Sequence, residues 1–205
     1  MRNDWLPASA ALLVTGAMAL TLASLLTPTG SSGSETLQLV RDDDNRWLAV
    51  SAIYFLAAAM LIIGLPSLLT LLADRGRYVG LGALVTLAVG FIGIAGYAML
   101  LVFLRALVVT DAIRDQSIDA VTEEAGLRVF LYGWIVAFYL GELLLGVALL
   151  RARSVPRWVP VLMLAHVLSL AITTVLPDAA SRGAILVFAL AFAGAGVRAA
   201  TPTPR

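Results

Sequence analysis

Glu142 and His166 are the ionisable groups that stand in the middle of long apolar runs. An acid and an imidazole at such positions could handle a proton or bind a ligand, and intramembrane ionisable groups are sites by default. A charged carboxylate at mid-membrane costs about 2.5–3.5 kcal/mol even on the lenient insertion scale, so Glu142 should be neutral, paired or facing an aqueous cavity. The stretch 151–157 joins the run that holds Glu142 to the run that holds His166. At a rise of about 1.5 Å per residue, both groups lie about 12 Å in from that shared end and can meet if their faces agree. Helical spacing puts Ile135, Tyr139 and Gly146 on the face of Glu142, and Ser169 and Thr173 on the face of His166. Glu142 and His166 are therefore candidate catalytic residues, an acid and a base, with Tyr139, Ser169 and Thr173 as candidate ligand-binding residues. The same residues also support a purely structural reading. In it, a protonated Glu142 makes an interhelical hydrogen bond to His166 or to a hydroxyl, worth about 0.6 kcal/mol.

Residue types limit the chemistry further. A single histidine excludes haem held by two histidines of one chain, and the absence of lysine excludes a retinal Schiff base. Without cysteine there are no disulfides, thiolate metal sites, iron–sulfur clusters or cysteine nucleophiles. A Ser–His–acid triad has its residue types but no nucleophile elbow to support it. The run Asp42-Asp43-Asp44-Asn45 lacks the glycine and the distal glutamate of an EF-hand loop and reads as a solvated cluster at the start of a helix. No cofactor, no metal and no nucleic-acid partner is expected.

The elements that must position these residues are membrane spans. A bilayer core of about 30 Å takes roughly 20 apolar residues as helix, and runs fit at 6–27, 47–73, 78–104, 127–150, 158–176 and 183–200. Backbone inside lipid must satisfy its own hydrogen bonds, which makes these runs helices. The chain is 60% hydrophobic and 13% charged, far from a soluble domain at about 45–50% apolar. The connections 28–46 and 105–126 are too short to build a core of their own. The expected fold is all-α, a polytopic transmembrane bundle of six membrane-spanning helices forming a single membrane domain over 1–205.

Within this frame, Gly64 and Pro66 should kink the second span, and Thr86, Gly90, Gly93 and Tyr97 make one stripe on the third. That stripe is first a packing face and second a ligand groove. Ser34 starts a short interfacial helix that leads into the second span. Asp111, Asp115 and Asp119, four residues apart, share one face of a helix that points to water. The first run exceeds the 7–15 residues of a signal h-region and reads as a retained anchor.

All basic residues are arginine, eight on the side of both termini against six on the other. The positive-inside rule then places both termini and the 151–157 loop in the cytoplasm.

Trp47 through Leu72, then Phe130-Leu131-Tyr132-Gly133-Trp134, and then Leu143 through Leu162 with its basic turn Ser154-Val155-Pro156-Arg157-Trp158 resemble a bacterial six-helix membrane family of unknown function. Together they cover about residues 35–176. The resemblance implies an inner-membrane bundle with no known activity and carries no catalytic residue across. The expected role is a binding, carrier or accessory module for a small apolar or lipid-like ligand or a membrane-protein partner, embedded among membrane lipids. An intramembrane enzyme and a proton-coupled transporter, both using Glu142 and His166, are the alternatives. A pair sealed by packing favours the module, whereas the other two need a cavity that reaches water or substrate.

Overall fold

A computed structural model describes residues 5–28, 30, 32–72, 76–113, 118, 121–172 and 178–201, with the side chains of 172 and 178–182 outside the description. The chain builds α1 Leu6–Leu26, α2 Gly33–Asp42, α3 Asp44–Gly64 with a 3₁₀ continuation Leu65–Leu71, α4 Arg77–Val109, α5 Ala125–Ala152, α6 Trp158–Ile172 and α7 Asp178–Ala200. The fold is all-α, with no strand among the described residues. Five helical segments are long and apolar enough to cross a membrane: Leu6–Leu26, Asp44–Leu71, Arg77–Val109, Ala125–Ala152 and Gly183–Ala200. The expected span 158–176 is described only to Ile172, as a shorter apolar helix, and 173–177 fall outside the described residues.

Each long helix packs on the next in chain order, α1 on α3, α3 on α4, α4 on α5, α5 on α6 and α6 on α7, and α7 returns to α1. Short connections make sequential helices antiparallel neighbours, and the contact of last with first closes them into a ring. Phe91, Phe138, Phe188 and Phe192, from α4, α5 and α7, fill the middle, with Phe188 and Phe192 centred 4.4 Å apart. Large apolar side chains such as Met18, Val85, Ile92 and Phe103 are more than half exposed on the outside. An exposed apolar surface of this kind is what lipid solvates.

The second span breaks where the sequence expects it to. Pro66 has no N–H to donate, and the α-helix gives way to the 3₁₀ segment after Gly64. Hydroxyls take over the freed carbonyls: Ser9 Oγ donates to Ile63 O at 2.9 Å, and Ser67 Oγ donates to Gly64 O at 2.7 Å. Close backbone approach sets the rest of the packing. A Cβ on Gly64 would stand 2.6 Å from the backbone of Leu13, and one on Gly90 would stand 2.7 Å from Phe138 Cα. Only hydrogen fits at these positions, so glycine lets α1 meet α3 and α4 meet α5.

Five boundaries and surfaces differ from the sequence reading. The helix before the second span is capped by Ser32, which accepts from Glu35 N at 3.2 Å, two residues ahead of Ser34. α3 begins at Asp44 rather than at 47, because Asp43 accepts from Arg46 N at 3.2 Å and caps it. Asp44 is not merely solvated; its carboxylate pairs with Arg105 of α4, whose Nε also donates to Asp44 O at 2.9 Å. Arg105 belongs to α4, which runs to Val109, about 50 Å of helix and longer than the bilayer core. Asp111 lies beyond that helix in a turn with φ 53°, so it shares no helical face. Asp115 and Asp119 lie outside the described residues.

Candidate functional site

The antiparallel packing of α5 and α6 brings together the two groups singled out by the sequence. His166 Nδ1 and Glu142 Oε2 are 2.7 Å apart, and the residues are 3% and 0% exposed. Glu142 lies 10 residues before the end of α5 at Ala152, and His166 lies 8 after the start of α6 at Trp158. Matched depth and the turn Arg153–Arg157 therefore suffice to align them. Arg153 makes that turn in the left-handed region at φ 52°.

Around the pair the packing is aromatic. Tyr139 stacks on His166 with centroids 5.4 Å apart, Phe188 of α7 lies 5.5 Å away, and Phe138 meets the imidazole edge-on at 6.2 Å. Glu142 Oε2 is satisfied by the imidazole, whereas Oε1 is buried without a partner among the described residues. Chemically this is one acid joined to one base by one hydrogen bond. A proton can pass between them, and no third polar side chain among the described residues continues the chain.

Of the three accompanying residues, Tyr139 reaches the pair. Ser169 does not, because its hydroxyl donates to His166 O on its own helix at 2.6 Å. That back-bond is the usual fate of a serine within an apolar helix. Thr173 lies outside the described residues.

Beside the pair, toward the half of the bundle that holds α2 and the end of α4, all six ring helices line a cleft of about 330 Å³. α1 contributes Leu20 and Ser24, α3 contributes Tyr54, and α4 contributes Ile94 and Tyr97. On the other side stand Trp134, Phe138 and Tyr139 of α5, with Leu170 of α6 and Ile185 of α7. Tyr54 and Tyr97 meet edge to face at 5.7 Å, and Tyr97 packs on Trp134 at 6.1 Å. Tyr54 Oη lies 3.1 Å from Thr27 Oγ1, which ties the rim of the cleft to the end of α1. Trp134 Nε1 is buried and has no acceptor among the described residues. Phe138 and Tyr139 are shared walls, lining the cleft on one side and covering His166 on the other.

Sequence reasoning passed over most of this cleft. Tyr97 belonged to the recognised stripe and Trp134 to a quoted aromatic run, but apolar helices carry aromatics on every face. The distinguishing signal, Tyr97 two turns from the close contact of Gly90 and Trp134 two turns from that of Gly141, needs the pairing of helices. A larger open hollow at the opposite end, beside Gly76 and Arg151, is lined by the ends of α4 and α5 and holds no acid or imidazole among the described residues.

Among described residues, no group of three His, Cys, Asp or Glu is placed to hold a metal ion. No family model, curated protein or solved structure matches this chain, so its function has to be argued from the Glu142–His166 pair and the aromatic cleft alone.

Proposed function

We propose that this multi-pass membrane protein is a binding or carrier module for a small apolar, lipid-like ligand held in the aromatic cleft. The observation that carries the reading is the convergence of six helices on one cavity of about 330 Å³ while Glu142 and His166 stay sealed behind its wall. Small-molecule sites span roughly 300–1,000 Å³ and are mostly apolar with a few polar groups, and this cleft fits the lower end of that range. A catalytic acid and base would need contact with substrate, whereas here Phe138, Tyr139 and Phe188 pack over the imidazole. In this reading the pair pins α5 to α6 and holds the rear wall of the cleft in place.

Saturable binding of decylbenzene to the full chain in lipid nanodiscs tests the proposal. Ile135→Trp and Leu170→Trp, which intrude on the cleft from its outer side, should each abolish binding while leaving the melting temperature of the chain intact. Absence of saturable binding to the unaltered protein would overturn it.

One observation favours a proton-coupled variant of the same role. Tyr139 packs on His166 and lines the cleft beside Phe138, so its rotation would open the pair to whatever occupies the cleft. Glu142→Gln should then abolish pH dependence of ligand uptake into vesicles while the fold persists; unchanged pH dependence would remove this variant.

For orientation, we infer an inner-membrane protein with both termini and the 153–157 turn in the cytoplasm, from the arginine asymmetry. Since the chain has no cysteine, Pro156→Cys and Ser34→Cys report each side separately. An impermeant maleimide should label intact cells at 34 and leave 156 untouched; the reverse pattern inverts the topology.

A further inference from the structure

We infer that the corner where α5 turns into α6 binds the phosphodiester head of an anionic phospholipid, with Arg151, Arg153 and Arg157 as its cations. This site lies at the end of the bundle opposite the aromatic cleft and shares no lining residue with it.

The chain places the three arginines within the seven residues 151–157. α5 ends at Ala152, Arg153 turns in the left-handed region at φ 52°, and α6 starts at Trp158, so the arginines surround one tight corner rather than follow one helix. Two hollows meet there. One, of about 570 Å³, is lined by Arg151 and Arg153 over Val147 and Leu150, and the other, of about 490 Å³, by Arg153 and Arg157 over Leu149 and Leu150. Arg153 and Leu150 line both, which joins the hollows into a single surface. Gly76 closes the far side of the first, where a Cβ would stand 2.9 Å from Ala148 O of α5.

Charge sets the class of ligand. No acidic side chain lines either hollow among the described residues. Elsewhere arginines are engaged: Arg105 pairs with Asp44, Arg46 donates to Leu26 O, and Arg198 donates to Ser154 O. Arg151, Arg153 and Arg157 are exposed and make no ion pair among the described residues. A guanidinium stays charged and grips phosphate through two parallel N–H bonds, so these forks match a phosphodiester.

The floor of the site makes that phosphodiester part of a lipid. Leu150 is 38% exposed and Leu143, two turns back on α5, is 37% exposed, so an apolar outer face continues from beneath the arginines into the bilayer. Trp158 directly follows Arg157 and Trp5 precedes α1 at the same end, each 49% exposed. Indoles collect at the level of the headgroups, which sets the arginines at phosphate depth. Acyl chains can cover the leucines there, whereas a soluble anion would leave them wet. A zwitterionic head brings its own cation toward the arginines, so an anionic one is preferred.

Native mass spectrometry of the full chain released from detergent micelles, titrated with dioleoylphosphatidylglycerol and in parallel with dioleoylphosphatidylcholine, tests the site. The expected result is one retained phosphatidylglycerol, bound at least tenfold more tightly than phosphatidylcholine. Arg153→Gln, at the residue the hollows share, should weaken it about fivefold, the effect of one basic residue beside an anionic lipid, and joint replacement of Arg151, Arg153 and Arg157 by Gln about a hundredfold. Arg128→Gln at the far end of α5 removes the same charge and should leave retention unchanged, with the melting temperature unaltered in every variant. Equal retention of the two lipids, an equal loss from Arg128→Gln and Arg153→Gln, or a triple variant that binds as the unaltered protein does would overturn the inference. Displacement of phosphatidylglycerol by millimolar inorganic phosphate would also overturn it, since the site would then serve a soluble anion.

Discussion

The same four helices make a tight seam in one half of the bundle and an open cleft in the other, and the spacing between the two is regular. On α4, Gly90 touches the backbone of Phe138, and Tyr97, two turns further on, lines the cleft. Running the other way on α5, Gly141 lies against Leu87, and Trp134, two turns back, lines the cleft. On α1 and α3, Gly16 packs against Leu61, while Ser24 and Tyr54, about two turns away, line the same space. Two turns of helix bring a residue back to nearly the same face, so α1, α4 and α5 each have one inner stripe with glycine below and a large ring or a hydroxyl above, while α3 sets Leu61 against Gly16 below and Tyr54 above. Where side chains are absent the backbones touch. Where rings stand, the helices are held apart and enclose volume. In lipid, association relies on packing and hydrogen bonds rather than on expulsion of water, so the seam carries the assembly and the cleft carries the opportunity for a ligand.

The largest effect should come from breaking the seam. Gly90→Leu drives a side chain into the backbone of Phe138, which cannot yield, and should cost about 3 kcal/mol, the upper end of overpacking. Unfolding in mixed micelles should show this loss, whereas Ile135→Trp at the cleft should leave stability nearly unchanged. A Gly90→Leu protein as stable as the parent would end the distinction between the two halves.

Next comes the pair that stands between them. Glu142→Leu leaves His166 Nδ1 buried without a partner and should cost about 1–3 kcal/mol. Glu142→Gln keeps a hydrogen-bonding group at 2.7 Å from the imidazole and should change stability by no more than about 0.6 kcal/mol. Similar losses from both substitutions would mean that charge, rather than hydrogen bonding, holds the pair.

A smaller effect is expected at the cleft end, where Arg105 of α4 pairs with Asp44 of α3 at 23% and 34% side-chain exposure. Partial exposure screens the pair, so Arg105→Met should cost about 1 kcal/mol or less. It should also loosen the start of α3, detectable as faster amide exchange near Asp44, without touching exchange at Gly90.

The smallest effect is a pH response at the start of α5. Glu124 accepts from Leu127 N at 2.6 Å, and hydrogen bonds from the Gly126 and Leu127 amides hold its carboxyl below the usual carboxylate range. A depressed folded value means that the cap contributes fully above the unfolded value of about 4.3 and is lost as pH falls through the lower folded value. Protection of the Gly126 and Leu127 amides, measured against their intrinsic exchange rate at each pH, should therefore fall below about pH 4, and Glu124→Gln should remove that dependence. Protection at the seam should be indifferent to pH in the same range.

Much of the architecture was already legible in one dimension. Long apolar runs could only be helices, Pro66 had to break the one that contains it, and a short turn between the runs of Glu142 and His166 brought two groups of equal depth within reach of each other. These features depend on local chemistry, on the loss of water inside lipid and on chain connectivity, all of which a sequence carries. Helix ends were less legible, because Asp44 and Arg105 act across a gap that the order of residues does not reveal. Ser169 shared the face of His166 by spacing, yet its hydroxyl is spent on its own backbone. The cleft belonged wholly to tertiary structure. Apolar helices have no polar face to fix their rotation, so which aromatic points inward is decided by the neighbours that glycine allows to approach. Tyr54, Tyr97 and Trp134 became one wall only when α3, α4 and α5 closed against each other.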